Sequence, residues 1–326
     1  MRYLITGGAG FIASHLADAL TARDDEVVAL DNLSTGRRHN IGHLEELPNI
    51  TFVQGSVLDE LLVDELVQGA DIVVHLAAAV GVELIVRRPL QSLITNIRGS
   101  ETVLGAAHRF GRKTLIASTS EIYGKNSSGP LREDADRILG SPQVSRWGYS
   151  TSKAVDEILA YAYHRERGLP TIVVRFFNTT GPRQSGAYGM VLPRFVDRAV
   201  TGEPVQVYGD GQQTRCFLHV HDAVRGIVGL LEAPGAVGEV FNIGGPDEIS
   251  MLDLADRVIR ATDSSSRVEL IPYEAAYEEG FEDMRRRVPD TSKINGLIGW
   301  EPRFDLDGII EQVVEETRAQ RIAVRI

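Results

Sequence analysis

Leu4-Ile5-Thr6-Gly7-Gly8-Ala9-Gly10-Phe11-Ile12-Ala13-Ser14-His15-Leu16 decides the fold. An apolar run enters a glycine turn and leaves as an amphipathic stretch, the pattern of strand, tight turn and helix. Glycine lets the backbone approach a diphosphate, and the following helix offers free N–H groups and the positive end of its dipole. Ala13 fills the third small position, at the helix–strand contact, where Ala is tolerated. Asp31 ends the second strand, 21 residues after Gly10. There a carboxylate accepts from a ribose 2′-hydroxyl and repels a 2′-phosphate. A tight turn alone would explain the glycines. The βαβ position, the helix and Asp31 raise the pattern above that and favour NAD over NADP, with Arg37 and Arg38 as the opposing signal.

Outward from this turn, apolar runs at 3–6, 26–30, 51–54, 72–76, 114–118 and 171–175 alternate with helical patterns at 13–22, 59–68, 93–110 and 149–167. The runs at 3–6, 72–76 and 114–118 are nearly all apolar, as strands buried on both faces are. The expectation is an α/β fold, a Rossmann-type doubly wound parallel sheet with helices on both faces. After Gly181-Pro182 the rhythm breaks into short elements and turns such as Tyr208-Gly209-Asp210-Gly211 and Gly244-Gly245-Pro246-Asp247. Residues 1–180 therefore read as a dinucleotide-binding domain to which about 215–245 return, and 181–326 mainly as a smaller C-terminal substrate-binding α/β region. The charged, glycine-broken segment 274–287 reads either as a solvated surface loop or as one that closes over a ligand.

The chain has 326 residues, with 34 Lys+Arg against 45 Asp+Glu, a net charge of −11. That balance argues against a nucleic-acid partner, which needs dense basic charge. Cys216 stands alone, so no intrachain disulfide or thiolate metal cluster is expected. No apolar run reaches the ~18 residues of a membrane span, and the first ten residues lack a signal-peptide layout. A soluble, reducing, cytoplasmic setting is the expectation. His219 and His221, two apart on an expected strand, have no fitting third ligand, so no metal is expected. Trp147 and Trp300 are expected as packing residues.

Tyr149-Ser150-Thr151-Ser152-Lys153 sets a phenol and an ammonium one helical turn apart on one face. A phenol of unperturbed pKa about 10 is a poor base at neutral pH, and a nearby ammonium makes it a usable one. The spacing alone is common on helix surfaces. Ser150-x-x-Lys153 also matches a β-lactamase-type motif, but the companion motifs are missing and the α/β setting does not fit.

Together with Thr6-Gly7-Gly8-Ala9-Gly10-Phe11-Ile12, Asp31-Asn32, His75-Leu76-Ala77-Ala78, Asn96, Phe177-Asn178, Gly181-Pro182-Arg183 and Tyr208-Gly209-Asp210-Gly211…Thr214-Arg215, this pair gives a clear resemblance. Over nearly its whole length the chain resembles the extended short-chain dehydrogenase/reductases that epimerise, dehydrate or decarboxylate nucleotide sugars. The resemblance implies tightly held NAD, a UDP- or dTDP-sugar in the C-terminal region, and a homodimer built through the helices at 93–110 and 149–167. NAD contacts would come from Gly7, Gly10, Phe11, Ile12, Asp31, Asn32, Ser34, Thr35, Gly36, Ser56, Val57, Leu76, Ala77, Ala78, Asn96, Ser118, Tyr149, Lys153 and Phe176. Ser56 stands where relatives usually carry Asp. The nucleotide sugar would meet Asn178, Arg183, Val191, Leu192, Tyr208, Arg215 and Arg287. Arg215 matches the family's diphosphate arginine, whose fork suits paired phosphate oxygens.

By the same resemblance Tyr149 takes the proton of the sugar C4 hydroxyl, and Thr119 hydrogen-bonds that oxygen. The stretch Thr119-Ser120-Glu121 resembles the Thr-Ser-Glu of UDP-glucuronic acid decarboxylases. The 4,6-dehydratases carry Thr-Asp-Glu, whose Asp expels the C6 hydroxyl, a proton Ser120 cannot readily supply. UDP-galactose epimerases usually lack the Glu. Arg286-Arg287-Val288-Pro289-Asp290 resembles the decarboxylases' Arg-Arg-x-Pro-Asp, which implies Arg287 beside the sugar carboxylate. The expected reaction is NAD-dependent decarboxylation of UDP-glucuronic acid through a UDP-4-keto intermediate to UDP-xylose, to a UDP-4-keto-pentose, or to both. The alternatives are a 4-epimerase acting on UDP-glucuronate or UDP-glucose, and a catalytically silent NAD-binding regulator. The stretch 186–193 differs from the decarboxylases' Arg-Val-Val-Ser-Asn-Phe and leaves room for a subgroup that releases the 4-keto pentose.

Overall fold

Strand-forming residues of the first half assemble into one parallel sheet. Its strands are β1 (Arg2–Thr6), β2 (Glu26–Asp31), β3 (Ile50–Gln54), β4 (Ile72–His75), β5 (Lys113–Thr119) and β6 (Thr171–Phe176). The computed structural model describes residues 1–81, 88–144, 146–186, 190–276 and 284–324. Beyond β6 the chain forms β7 (Thr179–Thr180), β8 (Val205–Tyr208), β9 (Thr214–Cys216), β10 (Leu218–His219), β11 (Val240–Ile243), β12 (Glu248–Ser250), β13 (Val268–Ile271) and β14 (Arg286–Arg287). The large sheet has the order β11-β6-β5-β4-β1-β2-β3, all parallel, so β11 returns from the second half to pair with β6. β4 is buried along its length, whereas β3 at the sheet edge is only partly covered, which is why the one reads as continuous apolar sequence and the other does not.

The helices are α1 (Phe11–Thr21), α2 (Glu60–Gln68), α3 (Pro89–Phe110), α4 (Arg146–Arg167), α5 (Val191–Thr201), α6 (Val220–Glu232), α7 (Met251–Ala261), α8 (Ser292–Ile298) and α9 (Leu306–Val324). On one sheet face Leu16 and Leu20 of α1 and Ile227 of α6 pack against Ile5, Val74, Leu115 and Phe241. On the other, Val63 of α2, Leu104 of α3 and Ala160 of α4 cover Leu4, Val28, Val73 and Ile116. This is the doubly wound α/β arrangement expected. A third core lies apart from the sheet, where Phe195 of α5, Leu254 of α7 and Ile310 of α9 enclose Val207 and Ile249. Trp147 and Trp300 are buried, as expected of packing residues. Cys216 is a buried free thiol.

Small sheets of the second half build the far wall of a cleft. β9 lies between antiparallel β12 and parallel β14, in register Arg215 to Arg287. The loop expected at 274–287 is corrected in part. It is entered by the helical turn Tyr273–Ala276 and ends in β14, because Arg286 bonds Glu248 at 2.8 Å and the strand completes β9. Its middle, 277–283, lies outside the described residues, as does 187–189 of the 186–193 stretch. His219 and His221 also differ from expectation. His219 ends a strand and caps α6, and His221 belongs to the helix, so the two do not share a strand face.

Candidate active site

Three close approaches shape the turn between β1 and α1. Gly7 has φ +71°, and a Cβ there would stand 2.9 Å from the backbone of Ala77. A Cβ on Gly8 would meet Ala29 Cβ at 2.6 Å, and one on Gly10 would meet Gly7 O at 2.8 Å. The N-terminus of α1 carries no side-chain cap: Gly10, whose N–H donates to Gly7 O at 2.8 Å, faces the cleft with Phe11 and Ile12, and no side chain caps the first-turn N–H groups of the latter two. Asp31, buried at the end of β2, accepts from Ala9 N at 3.0 Å and Leu33 N at 2.7 Å and lines the same cleft. Burial raises its carboxyl, and those two N–H donors oppose the rise. A glycine cradle, an uncapped helix end and a carboxylate at the second strand are what an adenine dinucleotide with a free ribose 2′-hydroxyl requires, and the residues fit NAD. Arg38 is engaged by Glu45 at 2.9 Å and lies over Phe52, and Arg37 bonds Ser185 at 2.9 Å.

The cleft has a volume of about 600 Å³ and runs from this turn to the C-terminal sheets. Its lining includes Gly7, Gly10, Phe11, Ile12, Asp31, Asn32, Ser34, Thr35, Gly36, Val57, Leu76, Ala77, Ala78, Ser118 and Phe176 on the dinucleotide side. Ser56 and Asn96 are not on this wall. Ser56 Oγ accepts from Leu58 N at 3.2 Å in the turn before α2. Asn96, buried in α3, accepts from Ala79 N at 2.7 Å and donates to Ser152 Oγ at 3.2 Å, so it ties the β4 loop to α4 from behind.

At the centre lie Thr119, Ser120, Glu121, Tyr149, Lys153 and Arg287. β5 ends at Thr119, whose hydroxyl accepts from Glu121 N at 3.2 Å and caps a 3₁₀ turn, Ser120–Tyr123. That cap turns Glu121 toward the second half of the molecule. There Arg287 donates to Glu121 Oε1 at 2.7 Å and to Asn178 Oδ1 at 2.8 Å, while Arg146 reaches the same Oε1 at 3.3 Å. Burial raises the Tyr149 phenol, the carboxylates of Glu121 and Asp156 add to the rise, and the Thr119 hydrogen bond and Arg287 oppose it. Lys153 Nζ, on the same face of α4, donates to Asp156 Oδ2 at 2.6 Å, with both side chains buried.

The far end is lined by Asn178, Arg183, Val191, Leu192, Tyr208 and Arg215. Arg215 donates to Thr214 O at 2.8 Å and Met284 O at 2.7 Å, which orients its guanidinium from β9. The ring of Tyr208 lies under the Arg194 guanidinium, 4.2 Å from the ring centroid. Arg183 forms an ion pair with Asp18 of α1 at 2.8 Å, so it closes the cleft on the dinucleotide side. Sequence reading missed Arg146, Arg194, Tyr273 and Asp156. Arg146 and Asp156 sit three residues before Tyr149 and three after Lys153, so helical spacing held their signal. Tyr273 reaches Gly209 only across the fold.

Fold and site together define a dinucleotide-dependent enzyme of nucleotide-sugar type, and residues 3–244 match the NAD dependent epimerase/dehydratase family. The chain belongs to that family. It is 39% identical over 315 residues to UDP-N-acetyl-alpha-D-glucosaminuronate decarboxylase of Bacillus cytotoxicus, covering 96% of this chain and 97% of that one. It is 37% identical to UDP-glucuronic acid decarboxylase 1 of Arabidopsis thaliana, covering 98% of this chain and 70% of the relative. Among solved structures, UDP-glucuronic acid 4-epimerase from Bacillus cereus, in complex with UDP-glucuronic acid and NAD, superposes with a TM-score of 0.89. It is 29% identical and covers 98% of this chain and 100% of that one.

Proposed function

We propose that this enzyme decarboxylates UDP-glucuronic acid with NAD, passing through a UDP-4-keto intermediate to UDP-xylose, to a UDP-4-keto-pentose, or to both. The observation that carries the reading is Glu121, held by Arg287 and Arg146 beside Thr119 and Tyr149. NAD, when bound, supplies a hydride acceptor for C4 and a donor that can return it. Tyr149 as phenolate takes the C4 hydroxyl proton, and Thr119 donates a hydrogen bond to the same oxygen as it becomes a ketone. A ketone at C4 makes the sugar a β-keto acid. The C5–C6 bond then breaks, CO₂ leaves, and the bond's electron pair forms an enolate whose oxygen Thr119 and the protonated Tyr149 stabilise. Glu121 and Arg287 order the water that delivers a proton to C5. Ser120, buried at the cleft wall, has no carboxyl to expel a C6 hydroxyl, which separates this site from a dehydratase.

Residues 1–180 with about 215–245 hold the dinucleotide in this proposal, and 181–326 mainly hold the UDP-sugar. Arg215 takes the diphosphate, Tyr208 with Arg194 flanks the base, and Val191 and Leu192 line its pocket. The B. cytotoxicus relative is named for the 2-acetamido sugar acid, which shares the C4 hydroxyl and C6 carboxylate. One assay therefore uses both substrates with products read by mass. CO₂ with a UDP-pentose or UDP-4-keto-pentose from UDP-glucuronic acid supports the proposal. UDP-galacturonate without CO₂ makes the enzyme a 4-epimerase, and inert protein with bound NAD makes it a regulator. The enzyme is further proposed to act as a homodimer. Leu90 and Ile94 of α3 and Ile158 and Tyr161 of α4 stay exposed, an apolar surface that a second copy covers.

A further inference from the structure

Lys153 is set to lend its charge to the Tyr149 phenol, yet among the described residues its ammonium bonds a carboxylate three residues on along the same helix. Asp156 is fully buried and bonds Nζ at 2.6 Å. We propose that Asp156 is a positioning residue for the Tyr149–Lys153 pair: it anchors the Lys153 ammonium between α3 and α4 and cancels much of its charge at the phenol.

The inference rests on Tyr149 and Lys153 being the reacting pair. Its support is the charge arrangement of the buried cluster. On α4 itself, Glu157 is engaged by both arms of Arg175 from β6, at 2.9 and 2.7 Å. From β14, Arg287 is engaged by Glu121 of the 3₁₀ turn, which Arg146 also reaches. From β4, His75 is bonded to Thr6 at 2.7 Å and to Ser100 of α3 at 3.1 Å, and burial keeps its ring neutral. Ser100 also faces Asp156. Arg175, Arg287, Arg146 and Lys153 thus each have an anion beside them, and for Lys153 that anion is Asp156. Lys153 and Asp156 are both buried, so a charge added or removed there is poorly screened. The carboxylate's presence raises the Tyr149 phenol, second among its charged neighbours after Glu121.

Asp156→Asn removes the charge but leaves a carbonyl oxygen to accept from Nζ, so the ammonium keeps its place and loses its counter-charge. The phenol then faces an uncompensated cation. The test uses the protein purified with its NAD and labelled with ¹³C at tyrosine Cζ, the Tyr149 resonance being assigned by its loss in Tyr149→Phe. In Asp156→Asn that resonance titrates at a pH about one unit lower than in wild type. The acid limb of kcat/KM for CO₂ release moves with it. Asp156→Glu restores the wild-type titration. Asp156→Ser, which admits a water beside Nζ, serves the same comparison should the Asn variant not fold. A phenol that titrates at the wild-type pH, with kcat lowered equally at all pH values, overturns the proposal and leaves Asp156 a structural residue. If wild type releases no CO₂ from UDP-glucuronic acid, the proposed function fails, and the resonance still decides the role of Asp156.

Discussion

Glu121 shows how one carboxylate can be made into a device by its neighbours. Thr119 caps the turn that aims it, and two guanidinium groups from β14 and α4 grip one of its oxygens. Charge-assisted bonds of this kind are short and directional. Glu121→Gln keeps the shape and loses the charge, so CO₂ release from UDP-glucuronic acid should slow by roughly 10²–10⁴-fold, the range of general acid–base contributions. Release at the wild-type rate would remove Glu121 from the mechanism. Tyr149 carries a pH dependence of definite sign. Burial raises its phenol, so the fraction able to accept a proton grows as pH rises. A pH profile of kcat/KM should therefore climb from pH 6 toward pH 9, and a flat profile would contradict that role.

At the scale of elements, α4 is the part that must not move, since it carries both Tyr149 and Lys153. Its seat on the sheet is a buried polar network. Glu157, one turn beyond Lys153, takes a two-armed grip from Arg175 of β6 and a 2.5 Å bond from Ser118 of β5. Arg175 continues to Tyr123 at 2.8 Å, and Tyr123 to Asn242 of β11 at 2.7 Å. Removing one partner of a buried pair strands the other, at a cost of about 3–5 kcal/mol. Glu157→Ala should lower stability by that much in a denaturant titration, and a loss below 1 kcal/mol would show that α4 is held by packing alone. The turn before α1 is the second fixed element. Gly8→Ala forces a Cβ within 2.6 Å of Ala29 Cβ, so a loss of about 1–3 kcal/mol is expected from overpacking.

At the scale of the whole molecule, three buried histidines make stability depend on pH. Burial pushes His75 down to about 3, and His15 and His219 down to about 4, from 6.5. Below pH 6.5 the unfolded chain binds protons that these folded rings refuse, so stability is present above 6.5 and is lost as pH falls toward 3–4. Thermal melts should drop in Tm between pH 6.5 and 4.5, and His75→Asn should flatten that slope. The exposed apolar residues of α3 and α4 set the other expectation at this scale. Ile158→Glu combined with Leu90→Glu should shift the light-scattering mass from dimer to monomer. A wild type that already runs as a monomer removes the dimer proposal. Among the described residues, no helix is long and apolar enough to cross a membrane.

Local pattern alone determined the doubly wound sheet, because a strand buried on both faces must be apolar throughout and a turn that touches a diphosphate must be glycine. Thr119, Glu121, Tyr149 and Lys153 were named through short motifs that resemble a family's, and the fold places all four on one cleft. Arg287 was named by a motif of the same kind, but its bond to Glu121 across 166 positions of chain is made by the pairing of β14 with β9, which no local motif states. Asn96 and Ser56 carry the right residue types for a dinucleotide wall but stand behind it or beside it, since the loop and helix that hold them turn away. Helical spacing marks Lys153 and Asp156 as neighbours, but that the carboxylate takes the ammonium is decided by folding, which buries the two together.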